Sequence, residues 1–235
     1  QLPFNSQGID HVYAKYFCNR KNQTELYSKI IVMDNVFEEN AVILFQGDSI
    51  TDCNRNREDP DSRGDGYVDL ITETLADRHL QQNIKFINRG ISGDKIRDLS
   101  LRWERDCISI KPDILSILIG VNDTLLTPSE QFEEEYRMLL TRTTRALDPK
   151  IILCEPFLLQ GDNNAYRDDL NPKIKIVHKL SEEFRTLLLP LDKIFRESCS
   201  LHPPEYWAPD GVHPTPAGHA LIAKSWIKYV DKTLH

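Results

Sequence analysis

The stretch "ILFQGDSITDC" (residues 43–53) decides the fold, because an apolar run leads directly into a glycine, an aspartate and a serine. Residues 41–46 have the apolar pattern of a buried strand. Gly47-Asp48-Ser49 suit a strand end followed by a helix N-cap, and taken alone they favour that interpretation. They also suit a nucleophile displayed at the carboxyl edge of a sheet, where open α/β folds place their chemistry. The rest of the chain has to distinguish these two interpretations.

Short apolar runs alternate with longer amphipathic segments from residue 41 onward. Several of the short runs are apolar at nearly every position, as strands buried on both faces are. The predicted strands are residues 41–46, 84–88, 113–120, 150–157 and 185–195. The predicted helices are residues 66–80, 95–110, 129–147, 174–188 and 217–230, and the overlap at 185–188 leaves one boundary open. Strands that alternate with helices predict an α/β fold, with a parallel sheet covered on both faces.

Residues 1–40 do not follow this alternation. "VYAKYFC" and "ELYSKIIVMD", separated by the polar "NRKNQT", give a weak hairpin signal. We interpret residues 1–40 as an N-terminal extension packed on a domain formed by residues 41–235.

Composition and charge exclude several classes of function. The chain has 235 residues, is 40% hydrophobic and 28% charged, and carries a formal net charge of −7. That charge disfavours nucleic acid and anionic membranes as partners, because both require a clustered basic surface. No apolar run reaches the roughly 18 to 20 residues of a transmembrane helix, so membrane insertion is not expected.

The cysteines argue against a disulfide framework and against a zinc site. There are five of them, widely scattered and without a C-x-x-C pair. Cys107 and Cys154 lie in apolar surroundings and suit the core. A reducing, cytoplasmic setting is therefore the expectation. The first residues, "QLPFNSQGID", lack the pattern of a signal peptide, and removal of a signal before this start is left open.

Polar residues follow the predicted strands at their carboxyl ends, which share one edge of a parallel sheet. Each has an ordinary structural explanation as a cap, turn or loop residue. Together, however, they supply what acyl transfer to a serine needs: a hydroxyl, a base, a carboxylate that holds the base, and donors for an oxyanion. The residues are Ser49, Gly90 and Gly93, Asn122, and the pair Asp210 and His213.

The same residues lie in four sequence blocks that resemble those of the SGNH hydrolases, also called the GDSL esterase/lipase family. The blocks are "GDSIT" (47–51), "NRGISGD" (88–94), "GVND" (120–123) and "DGVHP" (210–214), in the family's order and spacing. The sequences of the first and last blocks are most similar to those of bacterial esterases of the lysophospholipase or acetylesterase type. The 40 residues before the first block depart from the family pattern, which leaves the function of that segment open.

The resemblance implies a fold and a set of roles. The fold is a three-layer α/β/α, flavodoxin-like domain with a five-stranded parallel sheet. Ser49 would be the nucleophile, His213 the base and Asp210 the carboxylate that orients it. The backbone N–H groups of Ser49 and Gly93, with the Asn122 side chain, would form the oxyanion hole. No cofactor or metal is implied.

Two other classes of function remain as alternatives. A metal-dependent hydrolase is suggested by His202, Glu205, Asp210, His213 and His219, although His219 suits the start of the last helix and no known ligand motif is present. A flavodoxin-like binding module for flavin or phosphate is the second, with a non-catalytic sugar-binding relative as its variant. The stretch "GDSITDC" is poorer in small hydroxyl residues than a flavin phosphate loop, and the intact set of catalytic residue types argues against the sugar-binding variant.

The substrate is less well determined than the reaction. The chain has no large apolar insertion of the kind that would cover a long acyl chain, which favours short-chain acyl esters, acetyl groups on carbohydrates among them. Lysophospholipase or thioesterase activity is the alternative. Tyr206 and Trp207 would either form a stacking wall for substrate or pack under the Asp–His loop. Arg55 and Arg57 would contact a polar leaving group or simply lie at the surface. Homo-oligomerisation is left open.

Overall fold

The computed structural model describes residues 37–159 and 164–234. The strands are β1 (Val42–Gly47), β2 (Lys85–Asn88), β3 (Ile114–Leu118), β4 (Lys150–Cys154) and β5 (Leu187–Leu189). The helices are α1 (Ser49–Asp52), α2 (Tyr67–Arg78), α3 (Ile96–Trp103), α4 (Ser129–Ala146), α5 (Asn164–Glu183), α6 (Leu191–Ser198), α7 (Pro204–Trp207) and α8 (Pro216–Leu234). A π-helical turn, Glu104–Ile108, continues α3.

The five strands form one sheet in the order β2-β1-β3-β4-β5, and every neighbouring pair is parallel. Helices cover both faces, so the domain has three layers. The predicted α/β fold with a five-stranded parallel sheet is confirmed. The direction of winding reverses between β1 and β3, because β2 lies on one side of β1 and β3 on the other. Ligands of doubly wound folds bind at the carboxyl ends of the strands beside such a reversal.

Alternation along the strands divides the core into two halves. Phe45 points toward one face, where it packs with Trp226 of α8 and Tyr67 of α2. Leu44, one residue earlier, belongs to the other half, which α3, α4 and α5 cover. Successive strand residues point to opposite faces, so a strand apolar at every position supplies both halves.

The prediction of a fifth strand over residues 185–195 was wrong in its second half. The strand is only Leu187–Leu189, and α6 begins at Leu191 directly after Pro190. Pro190 has no N–H to donate to a sheet but is well tolerated before a helix, so the apolar run changes from strand to helix there. The overlap at 185–188 is also settled, because α5 ends at Glu183 and leaves Leu187 and Leu188 to β5.

The chain enters the domain beside the end of α2. The Phe37 ring is buried against His79, with ring centroids 5.0 Å apart in an edge-to-face arrangement. The Asn40 N–H donates to the Gln82 carbonyl at 2.6 Å. The predicted hairpin of the N-terminal extension falls on residues 12–34, which lie outside the described residues.

Within residues 37–159 and 164–234, no helix combines the length and apolar character needed to cross a bilayer.

Candidate active site

Ser49 follows the end of β1 after a single intervening residue. Gly47 lies so close to the next turn that a Cβ there would come within 2.3 Å of Thr51 Oγ1 and 2.4 Å of the Leu118 carbonyl oxygen. Asp48 is the N-cap of α1, and its Oδ1 accepts a hydrogen bond from the Ile50 N–H at 3.0 Å. The cap interpretation of the opening stretch is confirmed, with Asp48 as the capping residue, and Ser49 follows it at the edge of the sheet where the second interpretation expects a nucleophile.

Three of the predicted residues form one hydrogen-bonded chain. Ser49 Oγ lies 3.0 Å from His213 Nε2, and His213 Nδ1 lies 2.6 Å from Asp210 Oδ2. The second oxygen of Asp210 accepts the backbone N–H groups of Val212 at 2.9 Å and His213 at 2.7 Å. The Asp210 carboxylate thereby fixes both the loop and the imidazole.

The protonation states of Asp210 and His213 follow from their hydrogen bonds. Burial alone would raise the pKa of Asp210, but hydrogen bonds from His213 and Val212 outweigh it and hold that pKa below its usual value. A carboxylate only accepts, so His213 Nδ1 must carry the hydrogen in this contact. In the neutral imidazole the lone pair on Nε2 then faces the Ser49 hydroxyl and can accept its proton.

The loop that carries His213 is anchored from two directions. The Leu159 N–H, after β4, donates to the Gly211 carbonyl at 2.9 Å. The Thr215 N–H donates to the Trp207 carbonyl at 2.8 Å, and Thr215 Oγ1 accepts from the Gly218 N–H at 3.2 Å. Thr215 thus caps α8, which begins at Pro216, one residue before the predicted start at residue 217.

Two of the three predicted oxyanion donors lie on the loops after β2 and β3, and the third, the Ser49 N–H, follows β1. Gly93 has φ of +88°, a conformation that favours glycine, and a Cβ there would meet no atom within 4 Å. Asn122 Nδ2 donates to the Asp94 carbonyl at 3.1 Å, which puts its amide beside the residue after Gly93. The Ser49 N–H precedes the first intrahelical bond of α1, which joins the Asp52 N–H to the Asp48 carbonyl.

A polar network beneath these loops was not found from the sequence. Arg102 of α3 donates from Nε to Asp94 Oδ2 at 2.8 Å and from Nη1 to Gln46 Oε1 at 2.9 Å, joining the Gly93 loop to β1. Asp123 Oδ2 accepts the Ile96 N–H at 3.1 Å, joining the Asn122 loop to the start of α3. Two of these contacts, Arg102 to Gln46 and Asp123 to Ile96, join residues 56 and 27 positions apart, so no local pattern indicates them.

Burial moves the pKa of two carboxyl groups at this edge upward. Asp48 is 1% exposed, and desolvation raises its pKa to about 7. Asp123 is fully buried, and desolvation raises its pKa to about 6 against hydrogen bonds from Thr127 and Ile96 that lower it. The carboxylate of Asp210 therefore differs from these two, because its pKa is lowered.

Two further histidines, His219 and His202, lie outside the hydrogen-bonded series of Ser49, His213 and Asp210. His219 is buried in α8, its Nδ1 accepts the Tyr67 N–H at 3.2 Å, and its Nε2 lies 3.4 Å from Cys53 Sγ. Burial lowers its pKa to about 4. His202 stacks on Tyr206 with ring centroids 4.1 Å apart. Across the described ranges, no three His, Cys, Asp or Glu side chains are arranged to hold a metal ion.

The remaining candidate residues have mixed placements. Trp207 is 9% exposed and donates to the Ser198 and His202 carbonyls, so it packs under the loop. Tyr206 is 45% exposed on the same short helix. Arg55 donates to the Gly90 carbonyl at 2.8 Å, and Arg57 donates to Asp52 at 2.5 Å. The guanidinium groups of both arginines therefore donate to acceptors of the protein itself.

Comparison with known proteins identifies the family. The model of the GDSL-like lipase/acylhydrolase family matches residues 45–221. An acetylxylan esterase of Geobacillus stearothermophilus is 33% identical over 203 residues, which span 80% of this chain and 93% of that protein.

Solved structures agree with that assignment. A structure from Parabacteroides merdae ATCC 43184, described as a GDSL-like lipase, has a TM-score of 0.80 and 39% identity over 83% of this chain and 97% of its own. Axe2, an acetylxylan esterase from Geobacillus stearothermophilus, has a TM-score of 0.76 and 31% identity over 82% and 95%. Catalytic mutants of Axe2 with a serine or a histidine replaced by alanine are also among the matching structures. The family model covers well over half of the chain, so this protein belongs to the GDSL-like lipase/acylhydrolase family and is a carboxylic ester hydrolase.

Proposed function

We propose that this protein hydrolyses short-chain acyl esters, acetyl esters of carbohydrates in particular, with Ser49 as nucleophile. The observation that carries the proposal is the hydrogen-bonded chain from Ser49 Oγ through His213 to Asp210, with contacts of 3.0 and 2.6 Å. Nucleophile, base and orienting carboxylate in that order are the arrangement of a serine hydrolase.

The reaction follows from this chain of contacts. Ser49 Oγ attacks the ester carbonyl carbon while His213 Nε2 takes the hydroxyl proton. The tetrahedral oxyanion is held by the N–H groups of Ser49 and Gly93 and by the Asn122 amide. Its collapse breaks the bond to the alcohol, which leaves with the proton from His213. Water then attacks the acyl-serine while His213 takes its proton. Collapse of the second tetrahedral intermediate breaks the bond to Ser49 Oγ, which receives that proton from His213, and the acid is released.

The openness of the site supports a large leaving group and a small acyl group. The side chains of His213 and Asp210 are 58% and 56% exposed, so the base lies near the surface. A sugar attached through its hydroxyl can stay outside while only the acyl carbon reaches Ser49. Tyr206, exposed and stacked on His202, offers an aromatic face for such a sugar. The relative that is an acetylxylan esterase supports the same substrate class.

The experiment is a substrate panel measured on the wild type and on Ser49→Ala. We expect the wild type to hydrolyse 4-nitrophenyl acetate and acetylated xylo-oligosaccharides, and to hydrolyse butyrate and octanoate esters at progressively lower rates. Ser49→Ala should hydrolyse none of these esters. A rate that rises with acyl length or prefers lysophospholipid or thioester would favour the lipolytic alternative. Binding of the oligosaccharide without hydrolysis would favour a non-catalytic sugar-binding protein.

A further inference from the structure

Asp52 links the helical turn that begins with Ser49 to the loop that carries Gly93. Asp52 is the last residue of α1 and is 3% exposed. Its Oδ2 accepts two hydrogen bonds from one residue, the backbone N–H of Ser92 at 2.9 Å and the Ser92 hydroxyl at 2.8 Å. Ser92 immediately precedes Gly93. One carboxylate therefore holds the residue before the predicted oxyanion donor from both its backbone and its side chain.

Gly93 needs such support because little else surrounds it. Gly93 is exposed, and a Cβ built on it would meet nothing within 4 Å. The direction of its N–H is set by the peptide plane that it shares with Ser92, and rotation about the Ser92 backbone would turn that plane. The two hydrogen bonds to Asp52 hold the Ser92 N–H and side chain, and so fix the position of the Ser92 Cα from which that peptide plane extends.

The Asp52 carboxylate is itself held in a charged state. Arg57 Nη2 donates to Oδ2 at 2.5 Å, and Arg55 Nε lies 3.9 Å from Oδ1. Burial would raise the pKa of Asp52, but hydrogen bonds from Arg57 and Ser92 outweigh it and lower that pKa. Hydrogen bonds to an ionised acceptor are roughly twice as strong as those between neutral groups. Arg55 also donates to the Gly90 carbonyl at 2.8 Å, on the same loop.

We infer that Asp52 is a positioning residue of the esterase site, which aims the Gly93 N–H at the oxyanion through Ser92. The helical bond from the Asp52 N–H to the Asp48 carbonyl, 2.8 Å long, fixes Asp52 in the turn that contains the nucleophile. The Asp52 carboxylate thus joins the turn that contains the nucleophile directly to the residue before the oxyanion donor. The inference rests on the proposed roles of Ser49 and Gly93.

The test combines three variants in steady-state hydrolysis of 4-nitrophenyl acetate. Asp52→Ala should lower kcat about 10- to 100-fold with KM within about threefold, since an oxyanion contact acts mainly in the transition state. Asp52→Asn keeps an oxygen that can accept from Ser92 and should restore kcat by several fold over the alanine variant. Ser92→Ala should lower kcat about threefold to tenfold, and should have no further effect when combined with Asp52→Ala.

Asp69→Ala is the matched control. Asp69 lies on the neighbouring helix α2, and its carboxylate pairs with Arg63 at 2.8 Å. Among the described residues it has no contact with Ser92, so its removal should leave kcat unchanged. Circular dichroism and thermal unfolding accompany each variant. If Asp52→Ala does not fold, Ser92→Ala and Asp52→Asn still carry the test, because both keep the packing of α1.

The outcomes separate this inference from the proposed function. Full activity of Ser49→Ala would overturn the proposed function, and the inference with it. An inactive Ser49→Ala beside wild-type kcat in Asp52→Ala or Ser92→Ala would overturn the positioning role alone. Additive losses in the double variant, or a rise in KM with constant kcat, would likewise overturn it.

Discussion

At the scale of single residues, the account depends on a few side chains that are held by short hydrogen bonds. Asp210 uses one oxygen for its own loop and the other for the His213 ring, so one aspartate sets both the backbone and the imidazole. The types and spacing of these residues were predictable, because a carboxylate three residues before a histidine reaches it within one loop. The contacts of Asp52 were not predictable, since Ser92 lies 40 residues away along the chain.

Asn122→Ala tests the oxyanion role at this scale. The amide should stabilise the transition state more than the bound ester, so kcat should fall roughly 100- to 1,000-fold with KM nearly unchanged. Steady-state kinetics and thermal unfolding are measured together, because Asn122 also donates to the Asp94 carbonyl. Equal kcat in the variant and the wild type would remove Asn122 from the site.

Asp210→Asn tests the orientation of the base. The hydrogen bonds that lower the pKa of Asp210 keep it a carboxylate over the working pH range. An amide can present its NH₂ group to Nδ1 and so favour the wrong imidazole tautomer, which should lower kcat/KM on the order of 10³- to 10⁴-fold. The measurement is kcat/KM between pH 5 and 9. A loss smaller than about tenfold would mean that Asp210 does not orient His213.

Asp48→Asn should change how stability depends on pH. The folded-state pKa of Asp48, about 7, lies above the ordinary value of about 4, so its contribution is full below pH 4 and is lost as the pH rises through about 7. Asparagine keeps an oxygen for the Ile50 N–H without the buried charge. The gain in unfolding free energy of the variant over the wild type should therefore grow between pH 4 and 7, by an amount on the order of 3 kcal/mol. A gain that does not vary with pH would contradict the buried charge.

At the scale of elements, long helices and buried strands were predictable and short or shared segments were not. Helix α4, predicted at residues 129–147, is Ser129–Ala146, because its apolar residues recur at helical spacing. The run "RTLLLPLDKIF" contains both a strand and the start of a helix, and apolar character alone could not divide it. Helix α7, of four residues, is too short for any period to show.

Helix α8 carries a second pH-sensitive group whose effect is opposite in sign. The pKa of His219 is lowered to about 4 in the folded state, against about 6.5 for a free imidazole. The unfolded chain therefore takes up a proton before the folded one does, and stability falls as the pH drops from about 6.5 to about 4. The full change is about 3 kcal/mol.

His219→Gln should remove this loss, so that the difference in unfolding free energy between variant and wild type depends on pH in that window and not above pH 7. Denaturant unfolding at pH 4.5, 6 and 8 measures it. The comparison uses differences because Asp48 changes stability in the opposite direction over an overlapping range. An unchanged pH dependence in the variant would show that His219 is not the group responsible.

At the scale of the whole molecule, the topology explains why residues from distant blocks meet. The reversal of strand order between β1 and β3 puts the loops after these strands side by side, with Gly47 paired to Leu118 in the sheet. The loop before α8 then reaches the same edge through the contact between Leu159 and Gly211. Under the proposed function, the net charge of −7 and the exposure of the His213 side chain are expected to favour an uncharged carbohydrate ester over an anionic surface.

The central claim is that Ser49 is the nucleophile, and covalent labelling tests it most directly. A fluorophosphonate should inactivate the enzyme with one adduct per chain, located by mass spectrometry on Ser49, because the proposed base, His213, is hydrogen-bonded to that hydroxyl. Ser49→Ala should fold, take no label and lose activity about 10³-fold or more. Retained hydrolysis by Ser49→Ala, or inactivation with the adduct on another residue and Ser49 unmodified, would contradict the account.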